Sequence, residues 1–320
     1  METRTQRGRR PDLEGLEVNW PIGYIGRQFF PISNTHEISN SFTFQQVTAD
    51  ATPEEARAWS TNLTQNRITN GTANYTCVKQ EKRYVLTEED VKELGGIEVA
   101  DKLGAKASKR SVMRKFESDA YAKTFTSGRR SAAQELEVGK EFAALGYVAN
   151  TVRRHSGILS LVCSHQWFMS FIGLTAVAER LKSVAGLAGY ISSIDAALGL
   201  QPNFAVTPML RTVLPFEQIV IADDDPWRTE AKYACVGMLP RANEGSTSAD
   251  LVALAKTEAI YGVSKWFLPD EGNAFRIDSV FLDETNKVNA YDAQAMYNLV
   301  ELNADAIKLV KLPGEQPFTA

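Results

Sequence analysis

The 320-residue chain is 44% hydrophobic and 23% charged, with 21 Gly and 12 Pro, proportions that exclude a disordered or collagen-like polymer. At roughly 100–200 residues per domain the length points to about two structural units, each large enough to bury a core without disulfide or metal staples. Set against 39 Asp plus Glu, the 35 Lys plus Arg leave a formal charge of -4, so the chain is no polycation overall and any nucleic-acid contact has to be local.

Residues 1–74 contain no lysine, and the first lysine is Lys79. The stretch opens with a polar arm carrying Arg4, Arg7, Arg9 and Arg10, with no apolar run behind it, so no secretory signal is expected. Strands are predicted at Tyr24–Ile32 and Phe42–Val47. The second alternates Phe42, Phe44 and Gln46 with Thr43, Gln45 and Val47, and neither face is strongly apolar. Such a ribbon is marginal alone in water and calls for an outside support, a neighbouring subunit being one candidate. A further strand is expected at Tyr75–Leu86. Thr87 followed by Glu88, Glu89 and Asp90 then has the chemistry of a helix start, a hydroxyl and carboxylates facing unpaired amides.

Gly95-Gly96 should interrupt that helix. From Ile97 to about Phe125, Val99, Leu103, Ala107, Met113, Phe116 and Ala120 describe one apolar stripe with Lys and Arg crowding the other side. This helix would be roughly 40 Å long, a spine, closed by Ser127-Gly128. A second amphipathic helix is predicted over Ser131–Arg153, and a buried strand over Ile158–Cys163. Gly157–Ala178 has no formal charge, but Ser164, His165 and Gln166 at its centre argue for a buried strand and helix instead of a membrane span. Helices at Trp167–Ile172, Thr175–Ala188 and Ile191–Leu198 follow, with strands at Gln218–Ala222 and Lys232–Leu239, giving a compact α/β unit. The last third is β-rich: Ile260–Leu268, Phe275–Leu282, Met296–Leu302 and Ala306–Leu312.

Sites of chemistry are sparse. Cys77, Cys163 and Cys235 are far apart and odd in number, which fits neither a disulfide framework nor a zinc ribbon and suits a reducing compartment. On that reading the N-x-T sequons at Asn62, Asn70 and Asn74 are polar loop. Nucleotide-binding and hydrolase motifs are missing, and His36, His155 and His165 are too few for a His-rich metal site. Cys163 two residues before His165 is the one nucleophile–base pairing an α/β enzyme could use, but the strand that would align them ends there. Asp223-Asp224-Asp225-Pro226 gathers three carboxylates and reads as a solvated turn. No cofactor, no metal and no catalytic residue is expected. The Arg4–Arg10 arm is either a flexible tail or a local contact with packaged nucleic acid.

The order of parts resembles the major capsid protein of tailed bacteriophages, the Hong Kong 97-type α+β fold. Ile25-Gly-Arg-Gln-Phe-Phe-Pro31 is similar to the hydrophobic-Phe-Pro approach to that family's extended E-loop, and Tyr75-Thr-Cys-Val-Lys-Gln-Glu-Lys-Arg-Tyr84 to the strand returning from it. Ala144-Leu-Gly-Tyr-Val-Ala-Asn150, running through Ile158–Cys163 to Gln166-Trp167, resembles its helix, Gly, Asn, strand, short-helix stretch. Asn303-Ala-Asp-Ala-Ile-Lys-Leu-Val310 resembles its terminal strand.

The resemblance implies an N-terminal arm at 1–26, an E-loop at 27–74, and a spine-helix P-domain at 75–127. It further implies an A-domain at 128–258, returning P-domain strands at 259–302 and a C-terminal strand and tail at 303–320. It implies no enzyme, but a virion shell of hexamers and pentamers around double-stranded DNA, with a scaffolding protein, a portal and possible cement protein as partners and no membrane. Phe29, Phe30, Phe42, Phe44 and Trp59 become the expected inter-subunit contacts of the E-loop, and Arg4, Arg7, Arg9 and Arg10 a DNA-facing arm. An encapsulin-like nanocompartment is the alternative of the same fold. One branch of the family joins an E-loop Lys to an Asn of a neighbour; with no Lys between Arg27 and Asn74, that crosslink is not expected from this loop. Nor does a long helical leader precede the arm, so a separate scaffold, or an earlier segment since removed, is expected.

Overall fold

A computed structural model describes residues 8–16, 18, 24–46, 69–153, 155, 157–177, 179, 214–222, 225–240, 259–269, 274–283 and 288–314. The elements run β1 (Gly8–Arg9), α1 (Pro11–Glu14), α2 (Gly26–Phe29), β2 (Ile32–Thr35), β3 (Ser39–Gln46), β4 (Thr69–Thr76), β5 (Val78–Leu86), α3 (Glu88–Glu93), α4 (Ile97–Thr124), α5 (Ser127–Ser131) and β6 (Gln134–Glu135). They continue with α6 (Glu141–Val152), β7 (Ile158–Ser164), α7 (His165–Ile172), β8 (Gln218–Ala222), β9 (Tyr233–Leu239), β10 (Gly262–Phe267), β11 (Arg276–Asp283), β12 (Val288–Glu301) and β13 (Ile307–Lys311). Two compact units result, one of Met1–Asn40, Asn74–Lys123 and Ser264–Val300, the other of Ser41–Ala73, Thr124–Val263 and Glu301–Ala320.

The first unit is built on a sheet of order β1-β11-β12-β10-β2, with β5 also paired to β12. β12 begins at Val288, eight residues before the expected strand, and this length lets it pair antiparallel with both β11 and β5. Against the sheet lies α4, the predicted spine. Phe116 meets Trp266 and Tyr297 at ring separations of 5.6 and 5.4 Å, and those two rings stack at 5.0 Å. Its C-terminal half buries Met113, Phe116 and Ala120 as expected. In the N-terminal half the buried line is Ala100, Gly104, Ala105 and Ser108, while Val99 and Leu103 face water. The reason is Tyr291. A Cβ at Gly104 would come within 2.2 Å of its ring, and its hydroxyl donates to Asp101 at 2.5 Å, so only very small residues fit beneath it.

The helix start at Thr87 is formed as the sequence suggests: its hydroxyl accepts from Asp90 N and the Asp90 carboxylate accepts from Thr87 N. Gly95 and Gly96, at φ 87° and 127°, separate α3 from α4 in a conformation that favours glycine. The strand predicted at Tyr24–Ile32 is replaced by the one-turn helix α2. Glu117, buried on α4, accepts from the amides of Ile25 (2.7 Å) and Gly26 (2.9 Å), tying the start of the turn to the spine. The chain then leaves through Pro31 into β2, parallel to β10.

In the second unit the sheet order is β6-β13-β9-β7-β8. α6 contributes Leu145, Val148, Ala149 and Val152 to its core, and α7 adds Trp167, Phe168 and Phe171. Ser164 ends β7 and caps α7, accepting from Trp167 N at 3.0 Å and donating to Glu230 O at 2.6 Å. The uncharged Gly157–Ala178 stretch thus begins as strand and helix, and no helix among the described residues is long and apolar enough to cross a membrane.

The helix expected over Ser131–Arg153 is in fact the last residue of α5 followed by β6 and α6. Leu136, which fits a helical stripe, is buried because its backbone joins the sheet, its amide donating to Lys311 O at 2.9 Å. Gly139, at φ 82°, then turns the chain into α6. Predicted helices at Ile191–Leu198 and over most of Thr175–Ala188 lie outside the described residues.

Candidate assembly interface

β3 and β4 form a two-stranded sheet of their own, as their weakly apolar sequence requires. Most of its side chains are exposed. It is fastened at the base: Cys77 N donates to Ile38 O at 2.8 Å, Ser39 Oγ to Tyr75 O at 3.2 Å, and the Thr35 and Tyr75 hydroxyls lie 2.8 Å apart. Farther along, Asn303 Nδ2 donates to Gln45 O at 3.1 Å. Phe44 is buried across the strand pair on Gly71, where a Cβ would meet its ring at 2.6 Å. Phe42 is half-buried, and Trp59 lies outside the described residues.

Two of the five expected contact residues require correction. Phe29 and Phe30 are fully buried inside the first unit and offer nothing to a neighbour. With β2 paired into the large sheet, the ribbon begins at Ser39 instead of Arg27. Apolar groups that do face water are ones the sequence did not single out as contacts: Ile38, Val78, Val85, Ile97, Val99, Leu103, Val138 (81% exposed) and Tyr147 (69%). No sequence signal separates them from core residues, since their types are those of a core.

Of the expected arm, Arg9 and Arg10 are engaged inside the first unit. β1 pairs with β11, and Arg9 grips the buried Glu14 carboxylate at 2.9 and 3.0 Å. This hydrogen bond holds the Glu14 carboxyl below the usual carboxylate range against its desolvation. Arg10 pairs with Asp12 at 2.8 Å and Asp101 at 3.0 Å. Lys109, on the buried side of α4, donates to Glu14 O and Leu16 O at 2.8 and 2.9 Å; burial pulls its ammonium down to about 8, opposed by the Glu14 charge. Arg9 and Arg10 are therefore compensated within the protomer. Arg4 and Arg7 lie outside the described residues.

The enzyme reading gains no support. Cys163 sits in the core of the second unit, where burial drives its thiol far above the ordinary range and keeps it protonated, and His165 already belongs to α7. Asp225 is the one described member of the acidic triplet. Among the described residues no cluster of three His, Cys, Asp or Glu could hold a metal.

No protein-family model matches the chain, and no curated protein matches it. Among solved structures, a phage-related protein from Bordetella bronchiseptica RB50 is similar at a TM-score of 0.57 and 13% identity, over 96% of this chain and 97% of that one. A Mycobacterium phage Adephagia structure gives a TM-score of 0.47 at 10% identity, covering 98% and 96% of the two chains. An encapsulin complex from Synechococcus elongatus PCC 7942 gives 0.46 at 9% identity, covering 94% and 91%. The likeness to the Bordetella protein runs nearly end to end through both chains, so the two share one α+β fold.

Proposed function

We propose that this chain is a structural shell protein, many copies of which close into an icosahedral head around double-stranded DNA. The carrying observation is the β3–β4 ribbon, a two-stranded sheet with most side chains in water, set on a fold shared with a phage-related protein. A ribbon of this kind gains its support by lying across another copy, which converts exposed backbone and apolar groups into interface. Many reversible contacts of modest strength, repeated by symmetry, then close a shell whose stability lies in their number. Hexamers and pentamers, a scaffolding protein, a portal and a cement protein belong to this reading, as does a place in the virion. In it the first unit is the P-domain, the second the A-domain, and no covalent chemistry is required.

The test is expression of the full-length chain, alone and with the products of neighbouring genes, followed by negative-stain electron microscopy. Closed particles of uniform diameter are expected, and Phe42→Asp, placed on the ribbon, should abolish them while leaving the circular dichroism of the protomer unchanged. Protomers that remain single under every condition would overturn the reading. Particles that fill with a cellular enzyme in place of DNA would assign the shell to a nanocompartment.

A further inference from the structure

α4 carries a basic ridge on the side where the sequence crowds its Lys and Arg. Lys102, Lys106, Arg110 and Arg114 recur every four residues and are all exposed. One helical turn of about 6 Å separates neighbours, and the row extends about 18 Å along one side of the helix. Among the described residues, none of the four forms an ion pair. Asp101, the carboxylate nearest in sequence to Lys102, is engaged by Arg10 and Tyr291, and Asp119 is engaged by Lys115 and Tyr297. Glu98, one turn before Lys102, makes no salt bridge to it; Arg114 donates to the Tyr24 hydroxyl at 3.2 Å. The whole chain has a net charge of -4, so this is a concentrated local excess, held on a helix that core packing fixes in place.

We propose that this ridge binds the phosphate backbone of duplex DNA. For the origin of that DNA the proposal rests on the shell reading. About 18 Å of duplex axis presents about five phosphates on each strand, which four evenly spaced cations match without reading any base. A protein occupant fits less well. Lysine is depleted from protein–protein contact cores, and the row continues into Ser118 and Ala122 with Val99, Leu103, Ala107 and Ser111 alongside, a flank with two aliphatic side chains but without the aromatic anchors such contacts use. Sequence-independent packing of a genome needs contacts of this reversible, salt-sensitive kind. The ridge supplies cations free of carboxylates, which Arg9 and Arg10, paired inside the protomer, do not.

The full-length chain, kept unassembled, is titrated with a mixed-sequence duplex at a series of salt concentrations, and the dependence of log affinity on log salt is compared with that of a Lys102→Gln, Lys106→Gln, Arg110→Gln variant. Each lost phosphate contact removes about 0.9 from the slope, so a reduction of about 2.7 is expected, with unchanged circular dichroism. An unchanged slope, or no duplex binding by the natural chain, overturns the proposal. So does a variant that binds duplex normally but no longer assembles, since the ridge would then meet a protein. Should the natural chain bind duplex through the ridge yet never form particles, the shell reading falls and the ridge stands.

Discussion

At the scale of single residues, the fold depends on a few places where size or charge admits one solution. Gly104 is the sharpest, because the Tyr291 ring occupies the space a side chain would need and is itself tethered to Asp101. Gly146, in α6, has nothing within 4 Å of where a Cβ would stand. Helix propensity favours alanine over glycine at either position by about 1 kcal/mol, whereas forcing a methyl group into a filled core costs about 1–3 kcal/mol. The two substitutions should therefore have opposite signs. Thermal unfolding of the unassembled chain is expected to show Gly146→Ala raising the midpoint and Gly104→Ala lowering it. Equal shifts would contradict the packing of Tyr291. Buried charges are likewise tied to specific partners: Glu117 holds two amides and Lys109 two carbonyls of the N-terminal segment, both from one helix.

At the scale of elements, β1 is two residues long and owes its place to Arg9 and Glu14 as much as to backbone pairing. The folded Glu14 carboxyl titrates below its unfolded value of 4.5, so its stabilising effect is complete above that pH and fades as pH falls through the lower, folded value. Because Arg9 is partly solvent-exposed, the effect is about 1 kcal/mol. Urea unfolding should find the chain more stable than its Glu14→Gln variant at pH 6, with the gap narrowing as the pH is taken below 4.5. A gap independent of pH would deny the pairing.

Elements with strong local chemistry were legible: the Thr87–Asp90 start, the glycine break, the spine, and the passage from β7 into α7. α2 was not, since a single turn carries no periodicity, and aromatic residues in Tyr24–Ile32 read equally as strand. β6 was hidden because Leu136 satisfies a helical stripe and a sheet edge alike. Of the ribbon, β3 was found from its poverty of apolar residues, while its partner β4 was not predicted as a strand, Asn70, Gly71, Thr72 and Asn74 reading as polar loop. Phe29 and Phe30 were misplaced because a Phe-Phe pair reads the same inside a protomer as between two. The basic side of α4 was legible too, but not which of its cations stand exposed in one row without an ion pair, since that depends on partners distant in sequence.

At the scale of the whole molecule, the absence of lysine between Arg27 and Asn74 bears on how a shell is held together. No ε-amine is present there to condense with a neighbour's side chain. Mature particles boiled in detergent under reducing conditions should run as one band near the protomer mass of 35.4 kDa. A ladder of multiples would contradict this. On the shell reading proposed above, the exposed apolar groups, Val138 and Tyr147 foremost, would be the places where copies or a cement protein gain most by covering them.

The central sheet draws β1 and β2 from the start of the chain but β10, β11 and β12 from its final third, with Gly8 opposite Ser279 and Ile32 opposite Ser264. While a ribosome is still translating, β1 and β2 have no mates until β10 and β11 have emerged. On the shell reading proposed above, a nascent chain would thus be unable to join a growing shell through this unit before those strands are made.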